Sequence, residues 1–111
     1  METITWQDFE KVDIRCGTVV EVKDFANARK PAYQLTIDFG PLGIKRSSAQ
    51  VTHHYTAAEL QGRQVIAVVN FPPKQIANFF SECLVLGIYD EQGQVVLLQP
   101  ERGVTKGQKI G

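Results

Sequence analysis

Cysteine, net charge and long hydrophobic runs are scarce in this sequence, and each shortage excludes a class of protein. Its only two cysteines, Cys16 and Cys83, are far apart in apolar contexts, so we predict two small buried hydrophobes rather than a CxxC-type zinc site. His53 and His54 are adjacent and lack the i, i+4 spacing that aims two imidazoles at one metal. We therefore expect neither a metal nor another cofactor.

The charges cancel, because 12 basic residues face 12 acidic ones. The whole molecule therefore exerts no net attraction on a nucleic-acid backbone, although a local basic face remains compatible with neutrality. No apolar run approaches the roughly 18 residues of a membrane span, and no export signal opens the sequence. We expect a cytoplasmic protein without membrane insertion, in which residues 1–111 form one domain around one core.

Recognisable catalytic motifs are also missing. The sequence has no GxSxG elbow and no phosphate-binding loop, and Ser47, Ser48 and Ser81 lie outside any known nucleophile motif. A polar binding surface explains such serines more simply than catalysis does. We predict a binding protein and not an enzyme.

Capping and turn signals divide the chain into short elements. Thr5 with Asp8 predicts one helical turn at residues 5–9, and Thr56 with Glu59 predicts a short helix at residues 56–62. Alternation of apolar and polar residues predicts a long first strand over residues 13–25, with one face made of Ile14, Cys16, Thr18, Val20 and Val22. Similar patterns predict further strands at residues 31–40, 44–51, 64–70, 81–89 and 94–100.

The order of these elements predicts an all-β fold. Five strands with a helix between the third and fourth, and a long first strand in which Gly17 permits a bend or close approach, match the OB-fold, a five-stranded Greek-key barrel. The N-terminal helical turn and the sixth strand would be extensions of that barrel. A generic small β-barrel shares the strand count and is the alternative at this point.

A polar insert, FPPKQIANFF at residues 71–80, separates the fourth and fifth strands. OB-folds bind ligands beside this connection, so we predict that the insert forms a rim of the binding site, stiffened by Pro72 and Pro73. We expect at least one of its phenylalanines to face a ligand or a partner chain, with core packing of Phe79 or Phe80 as the alternative. The three phenylalanines are Phe71, Phe79 and Phe80.

Two ligand classes fit this rim. The phosphates of RNA would contact Arg29, Lys30, Lys45, Arg46 and Lys74, while aromatic rings would stack on bases. An unfolded polypeptide would instead lie in an apolar groove of the phenylalanines with Leu84 and Ile76. A net charge of zero fits the polypeptide more readily than RNA.

Five segments together resemble the CsaA family of bacterial secretion-related chaperones: DFEKVDIRCGTVVEV, ARKPAYQLTIDFG, IKRSSAQVT, QVIAVVNFPPKQIANFFSECLVLG and VVLLQPERGVTKGQKIG. The likeness covers nearly the whole chain and extends to the wider family of tRNA-binding domains, which occur as free dimers and as appendages of methionyl-tRNA synthetase. It implies an OB-fold homodimer, paired through the N-terminal helical turn and the strands beyond the barrel.

Two departures favour the CsaA branch over the tRNA binders. Ser81 and Glu82 match the Ser-Glu-Gly-Met run of the tRNA binders, but Cys83 and Leu84 follow them here. The run NARKPAY also stands where the tRNA binders tend to have Asn-Ala-Asp-Lys-Leu. Both departures are shared with the CsaA branch.

The resemblance implies a non-enzymatic homodimeric chaperone that binds unfolded or export-destined polypeptides, with the secretion machinery and tRNA as further partners. A structure-specific tRNA-binding protein without a chaperone role is the alternative. The predicted ligand-binding residues are Arg29, Lys30, Lys45, Arg46, Ser48, Asn70, Phe71, Lys74, Phe79, Ser81 and Glu82. Apolar residues outside the five strands are predicted to meet a second subunit, with packing on the same subunit as the alternative: Ile4, Trp6, Phe9, Val95, Val96, Leu97, Leu98, Val104 and Ile110.

Overall fold

A computed structural model describes residues 1–111 of the chain. Two short helices, α1 (Trp6–Glu10) and α2 (Ala57–Leu60), accompany nine strands, and a 3-10 turn spans Gly40–Leu42. Neither helix has the length and apolar composition needed to cross a membrane. The strands are β1 (Ile14–Asp24), β2 (Tyr33–Asp38), β3 (Ile44–Ala49), β4 (Gln64–Val68), β5 (Lys74–Ile76), β6 (Phe79–Ser81), β7 (Leu84–Val85), β8 (Gly87–Tyr89) and β9 (Val95–Leu97).

Both helices begin at the predicted capping boxes. The Thr5 hydroxyl accepts a hydrogen bond from the Asp8 N–H at 3.1 Å, and the Asp8 carboxylate accepts one from the Thr5 N–H at 3.0 Å. Thr56 and Glu59 repeat the arrangement at α2, with distances of 3.2 and 2.9 Å. These reciprocal bonds satisfy backbone donors that the first turn of a helix leaves free, which explains why such short helices start at these residues.

Five antiparallel strands form one sheet in the order β3-β2-β1-β4-β7. The segment just before β7 returns to β3, where the Glu82 N–H donates to the Arg46 carbonyl at 2.7 Å and the Glu82 carboxylate accepts from the Arg46 N–H at 3.0 Å. The sheet therefore curls into a nearly closed barrel. The predicted OB-fold, with a helix between its third and fourth strands, is confirmed.

A β-bulge interrupts the regular alternation of β1. Val19 pairs with Ile37 and Glu21 pairs with Thr36, so Val20 has no partner on β2. Val19 is fully buried whereas Val20 is 39% exposed. The predicted continuous face is therefore wrong: Val20 is the extra residue of the bulge, and the bulge moves Val22 to the face of Val19, where it lies opposite the buried Leu35.

Gly17 makes the close approach that was predicted for it. A Cβ placed on Gly17 would lie 2.6 Å from the Cγ2 of Ile37 and 2.7 Å from the Cε1 of Phe39. Both neighbours are fully buried. The absence of a side chain at Gly17 lets β1 pack directly on the core residues of β2 and the turn after it.

The predicted fifth strand at residues 81–89 divides in two, which corrects that prediction. β7 stays in the barrel, whereas β8 leaves it and pairs with β9 in a separate hairpin. The break falls at Leu86, whose N–H donates to Ile66 while its carbonyl accepts from Leu98. β5 and most of β6 lie in the insert and form a second hairpin.

The hydrophobic core has a main cluster inside the barrel and a small satellite. The main cluster includes Leu35, Ile37, Phe39, Leu60 and Val65. The satellite contains Phe25, Ala32 and Phe79. Both free cysteines are buried, as predicted, and burial raises the pKa of the Cys83 thiol to about 12 although the nearby positive charge of Lys45 opposes the shift.

Candidate ligand-binding face

Two connections flank the outer face of β2 and β3, the β1–β2 loop (residues 25–32) and the β4–β7 connection (residues 69–83). The loop is closed at its base by a 3.0 Å hydrogen bond from the Phe25 N–H to the Ala32 carbonyl. The connection contains the β5–β6 hairpin, whose two-residue turn places Ala77 at a positive φ of 54°. Gln75 supports that turn by donating its side-chain amide to the Ala77 carbonyl at 3.0 Å.

Phe79, on the β5–β6 hairpin, contacts both the β1–β2 loop and β3. Its ring lies 5.2 Å from the ring of Phe25, at the base of the loop, and the guanidinium of Arg46 stands 4.4 Å from its centroid. Only 2% of Phe79 is exposed, whereas Phe71 and Phe80 are 55% and 53% exposed. Phe79 therefore packs in the core, which was the alternative to ligand contact, whereas the other two phenylalanines lie at the surface.

β3 presents alternate residues to its two faces. Arg46 and Ser48 lie opposite Thr36 and Gln34 of β2, and cross-strand partners share one face of a sheet. Lys45 lies on the other side with the buried Ser47 and acts on the Cys83 thiol. The structure therefore does not bring Lys45 together with Arg46, although they are adjacent in the sequence.

Two residues of this face, Gln34 and Thr36, were missed by the sequence reasoning. Both are half-buried polar residues on the outward positions of β2. Their signal was present in the alternation of YQLTID, whose inward positions are apolar. Recognising them also required the β2–β3 register, which the sequence does not state.

Ser81 and Glu82 lie at the closure of the barrel. The Ser81 hydroxyl accepts a hydrogen bond from the Ser48 N–H at 3.2 Å, and the Glu82 carboxylate accepts from the Arg46 N–H. These bonds fasten the end of the β5–β6 hairpin to the edge of β3. Ligand contact by either residue stays a prediction.

Asn70 is tied to a different part of the molecule. Its side-chain amide donates to the Lys11 carbonyl at 2.7 Å, and its carbonyl oxygen accepts from the Asp13 N–H at 3.0 Å. These partners belong to the segment between α1 and β1. The amide of Asn70 therefore positions that segment, and its predicted ligand contact would compete with these bonds.

Positive charge is distributed unevenly over the surface. Five of the 12 lysine and arginine side chains lie within 4.0 Å of a carboxylate. None of the five belongs to a set that we refer to as the basic rim, which consists of Arg29, Lys30, Arg46 and Lys74. Arg29 and Lys30 lie in the β1–β2 loop, and Lys74 pairs across the hairpin with Ser81.

Two concavities lie away from the basic rim. One, of about 430 Å³, is lined by polar, charged, glycine and proline residues of the segments 59–64 and 99–103. The other, of about 250 Å³, lies between α1 and the end of the chain and is lined by Trp6, Phe9, Val12 and Ile110. No group of three or more His, Cys, Asp or Glu side chains is arranged to hold a metal ion.

A five-stranded barrel with polar and basic residues on β2, β3 and the two flanking connections has the layout of an OB-fold binding domain. Residues 14–109 match the family described as "Putative tRNA binding domain". The family is one of small binding domains rather than a catalytic one.

Solved structures and known sequences show which group within this family the chain resembles. It is 51% identical to the chaperone CsaA of Bacillus anthracis, with a TM-score of 0.94 over 99% of this chain and 100% of the other. It is 55% identical to the CsaA chaperone protein of Picrophilus torridus, with a TM-score of 0.92 over 98% and 100% of the two chains. A methionine–tRNA ligase of Porphyromonas gingivalis is 34% identical over 98% of this chain, which spans 16% of that ligase. The chain therefore belongs to the tRNA-binding-domain family and, within it, to the CsaA group.

Proposed function

We propose that this chain is a non-enzymatic, homodimeric chaperone that binds unfolded, export-destined polypeptides in the cytoplasm. The observation that carries the proposal is the exposure of Phe71 and Phe80, 55% and 53%, on the same connection that carries Lys74. Exposed apolar surface bordered by polar residues often marks an interaction site, and aromatic rings supply a large contact area at such sites. The 51% and 55% identity to proteins described as CsaA chaperones supports the same function.

The surroundings of these rings suit an extended, sequence-variable ligand. Gln75 and Phe80 form a cross-strand pair on the face of the β5–β6 hairpin opposite the buried Phe79. Apolar side chains of an unfolded segment would pack on the rings, while the side-chain carbonyl of Gln75, the cross-strand neighbour of Phe80, could accept hydrogen bonds from its main chain. No deep pocket selects one side chain, which fits a chaperone that accepts many substrates.

A second subunit is the proposed occupant of the groove between α1 and the end of the chain. Ile4 and Trp6 are 64% and 61% exposed beside this groove or on its wall, and Ile110 is 37% exposed. Burial of such a surface between two identical chains would place two ligand-binding faces on one body and raise the effective concentration of each. Light scattering measures the mass in solution, and a monomer at micromolar concentration would refute the dimer.

Aggregation of an unrelated, chemically unfolded protein tests the chaperone proposal. We expect the wild type to suppress aggregation and the double variant Phe71→Ala/Phe80→Ala to lose most of that protection. Val20→Ala is the matched control, because Val20 is also a surface apolar residue but lies near α2, with its carbonyl bound by Gln61. Equal protection by all three proteins would remove the phenylalanines from the substrate site.

Binding of tRNA is the second candidate, and the unpaired charges of the basic rim favour it. Four cations without a carboxylate partner within 4.0 Å are free to contact phosphates, and the family match carries the same suggestion. The two candidates are separated by measuring the affinity for a purified tRNA and for an unfolded polypeptide at one physiological salt concentration. Competition between the two ligands would show that they share this face.

A further inference from the structure

The cations of the basic rim belong to three separate elements, so their relative positions depend on what connects those elements. Arg46 is on β3, Lys74 is on β5, and Arg29 and Lys30 are in the β1–β2 loop. A lysine or arginine side chain that is free to rotate loses up to about 2 kcal/mol of conformational entropy when a ligand fixes it. A cation that is already held in place binds with a smaller loss.

Arg46 is the one member of the rim whose side chain is held by an aromatic ring. Its guanidinium stands 4.4 Å from the centroid of Phe79. Its backbone is fixed as well, since its N–H and carbonyl both bond to Glu82. The guanidinium itself forms no hydrogen bond and no salt bridge within the protein, so stacking orients it while its N–H groups stay available.

The ring of Phe79 is rigidly supported. It is 2% exposed, packs against Phe25 at a ring distance of 5.2 Å, and shares a cluster with Ala32 and Ile76. A ring this deeply buried has no surface to offer to a ligand. Its contact with Arg46 is therefore the route by which it can influence binding.

We propose that Phe79 is a positioning residue, which orients the guanidinium of Arg46 for a phosphate group instead of contacting the ligand itself. A guanidinium stacked on a ring keeps its planar edge free, and that edge donates two parallel hydrogen bonds to a phosphate. For its binding readout the proposal rests on the tRNA candidate described above. The orientation of Arg46 can be measured without any ligand.

The ligand-free test uses NMR of the intact chain. A guanidinium above a ring places the Cδ protons of Arg46 in the shielding region, so we expect these protons to resonate upfield in the wild type. Phe79→Leu keeps an apolar side chain in the cluster but removes the ring, and should return them to ordinary positions. Phe80→Leu is the control, because Phe80 lies on the opposite face of the hairpin. Unshifted Arg46 protons in the wild type would overturn the proposal without reference to any variant.

The binding test is a double-mutant cycle with a purified tRNA. We expect Phe79→Leu and Arg46→Ala each to weaken binding by about 3- to 10-fold. Each variant weakens or removes the same phosphate contact, which Arg46 makes and the cation–π interaction with Phe79 orients. In the Arg46→Ala background, Phe79→Leu should change affinity by less than about twofold, because the residue that it orients is gone. A merely structural role for Phe79 would give the same loss in both backgrounds and would overturn the proposal.

Absence of tRNA binding and absence of a positioning role for Phe79 give different results in these measurements. If the wild type does not bind tRNA, the tRNA candidate is refuted and the NMR measurement alone decides whether Phe79 orients Arg46. If the wild type binds and Phe79→Leu binds equally well, the positioning role is refuted and tRNA binding stands. Thermal unfolding of each variant confirms that the folded protein is what is measured.

Discussion

Removing one cation from each element of the basic rim should change how tRNA binding depends on salt. The variant is Lys30→Ala/Arg46→Ala/Lys74→Ala, which takes one positive charge from the β1–β2 loop, one from β3 and one from β5. None of the three side chains is engaged in an ion pair within the protein, so each is available to neutralise a phosphate and release a counterion.

The size of the effect follows from the number of contacts removed. Each phosphate contact contributes about 0.9 to the slope of log affinity against log salt concentration on a duplex, so three contacts contribute about 2.7. Over a fourfold rise in salt, from about 50 to about 200 mM, the wild type should therefore lose roughly 40 times more affinity than the variant does. Such a difference is well outside the error of a binding titration.

Fluorescence anisotropy of a labelled tRNA at four or five salt concentrations measures both slopes. The control variant is Lys11→Ala/Arg102→Ala/Lys106→Ala, which makes the same change in net charge at exposed positions that are paired with carboxylates and lie outside the rim. We expect its slope to differ from the wild-type slope by less than one contact. Equal slopes for the rim variant and the wild type would refute the assignment of the rim to phosphate binding, and equal effects of both triple variants would show only a response to net charge.

Two further predictions concern stability. Gly17→Ala should destabilise the fold by about 1–3 kcal/mol, because its Cβ would lie 2.6 Å from Ile37, whereas Gly103→Ala meets no atom within 4 Å and should be nearly neutral by urea unfolding. Burial raises the pKa of the Cys83 thiol to about 12 in the folded protein, against an ordinary value of 9.0, so the folded and unfolded states both keep the thiol protonated below pH 9. The effect of this group on stability therefore appears only as the pH rises above 9. Above pH 9 the thiol of the unfolded chain ionises first, so the free energy of unfolding of the wild type should fall by about 1.4 kcal/mol per pH unit more than that of Cys83→Ala. Urea unfolding at several pH values measures both free energies, and parallel plots of stability against pH would contradict the prediction.

The sequence predicted those elements that depend on interactions between residues close together in the chain. Thr5 and Thr56 act through hydrogen bonds to residues three positions away, so both capping boxes could be read from the sequence. The bulge at Val20 could not, because it depends on which residues of β2 lie opposite β1. The division of the fifth strand at Leu86 likewise depends on bonds to Ile66 and Leu98, which are distant in the sequence.

In the candidate site, too, the position of a side chain depends on strand register, which the sequence does not state. Lys45 and Arg46 are neighbours in the sequence, but strand geometry sends them to opposite faces of β3. Phe79 and Phe80 are also neighbours, and the β5–β6 hairpin buries the first and exposes the second. The sequence named the segments that carry these residues, whereas their assignment to the core, to the closure of the barrel or to its outer face required the register of the strands.

Neutrality of the whole chain does not argue against an anionic ligand at the rim. The molecule measures 40 × 33 × 29 Å, whereas charges in physiological salt are screened over about 8 Å. A ligand at the rim therefore responds to the cations within one screening length and not to acidic residues at the far side. The four rim cations, Arg29, Lys30, Arg46 and Lys74, take no part in the ion pairs, so a ligand at the rim meets side chains that no carboxylate within 4.0 Å neutralises. The one acid placed beside them is Glu82, whose carboxylate accepts the Arg46 N–H, and it lowers the local positive charge without cancelling it.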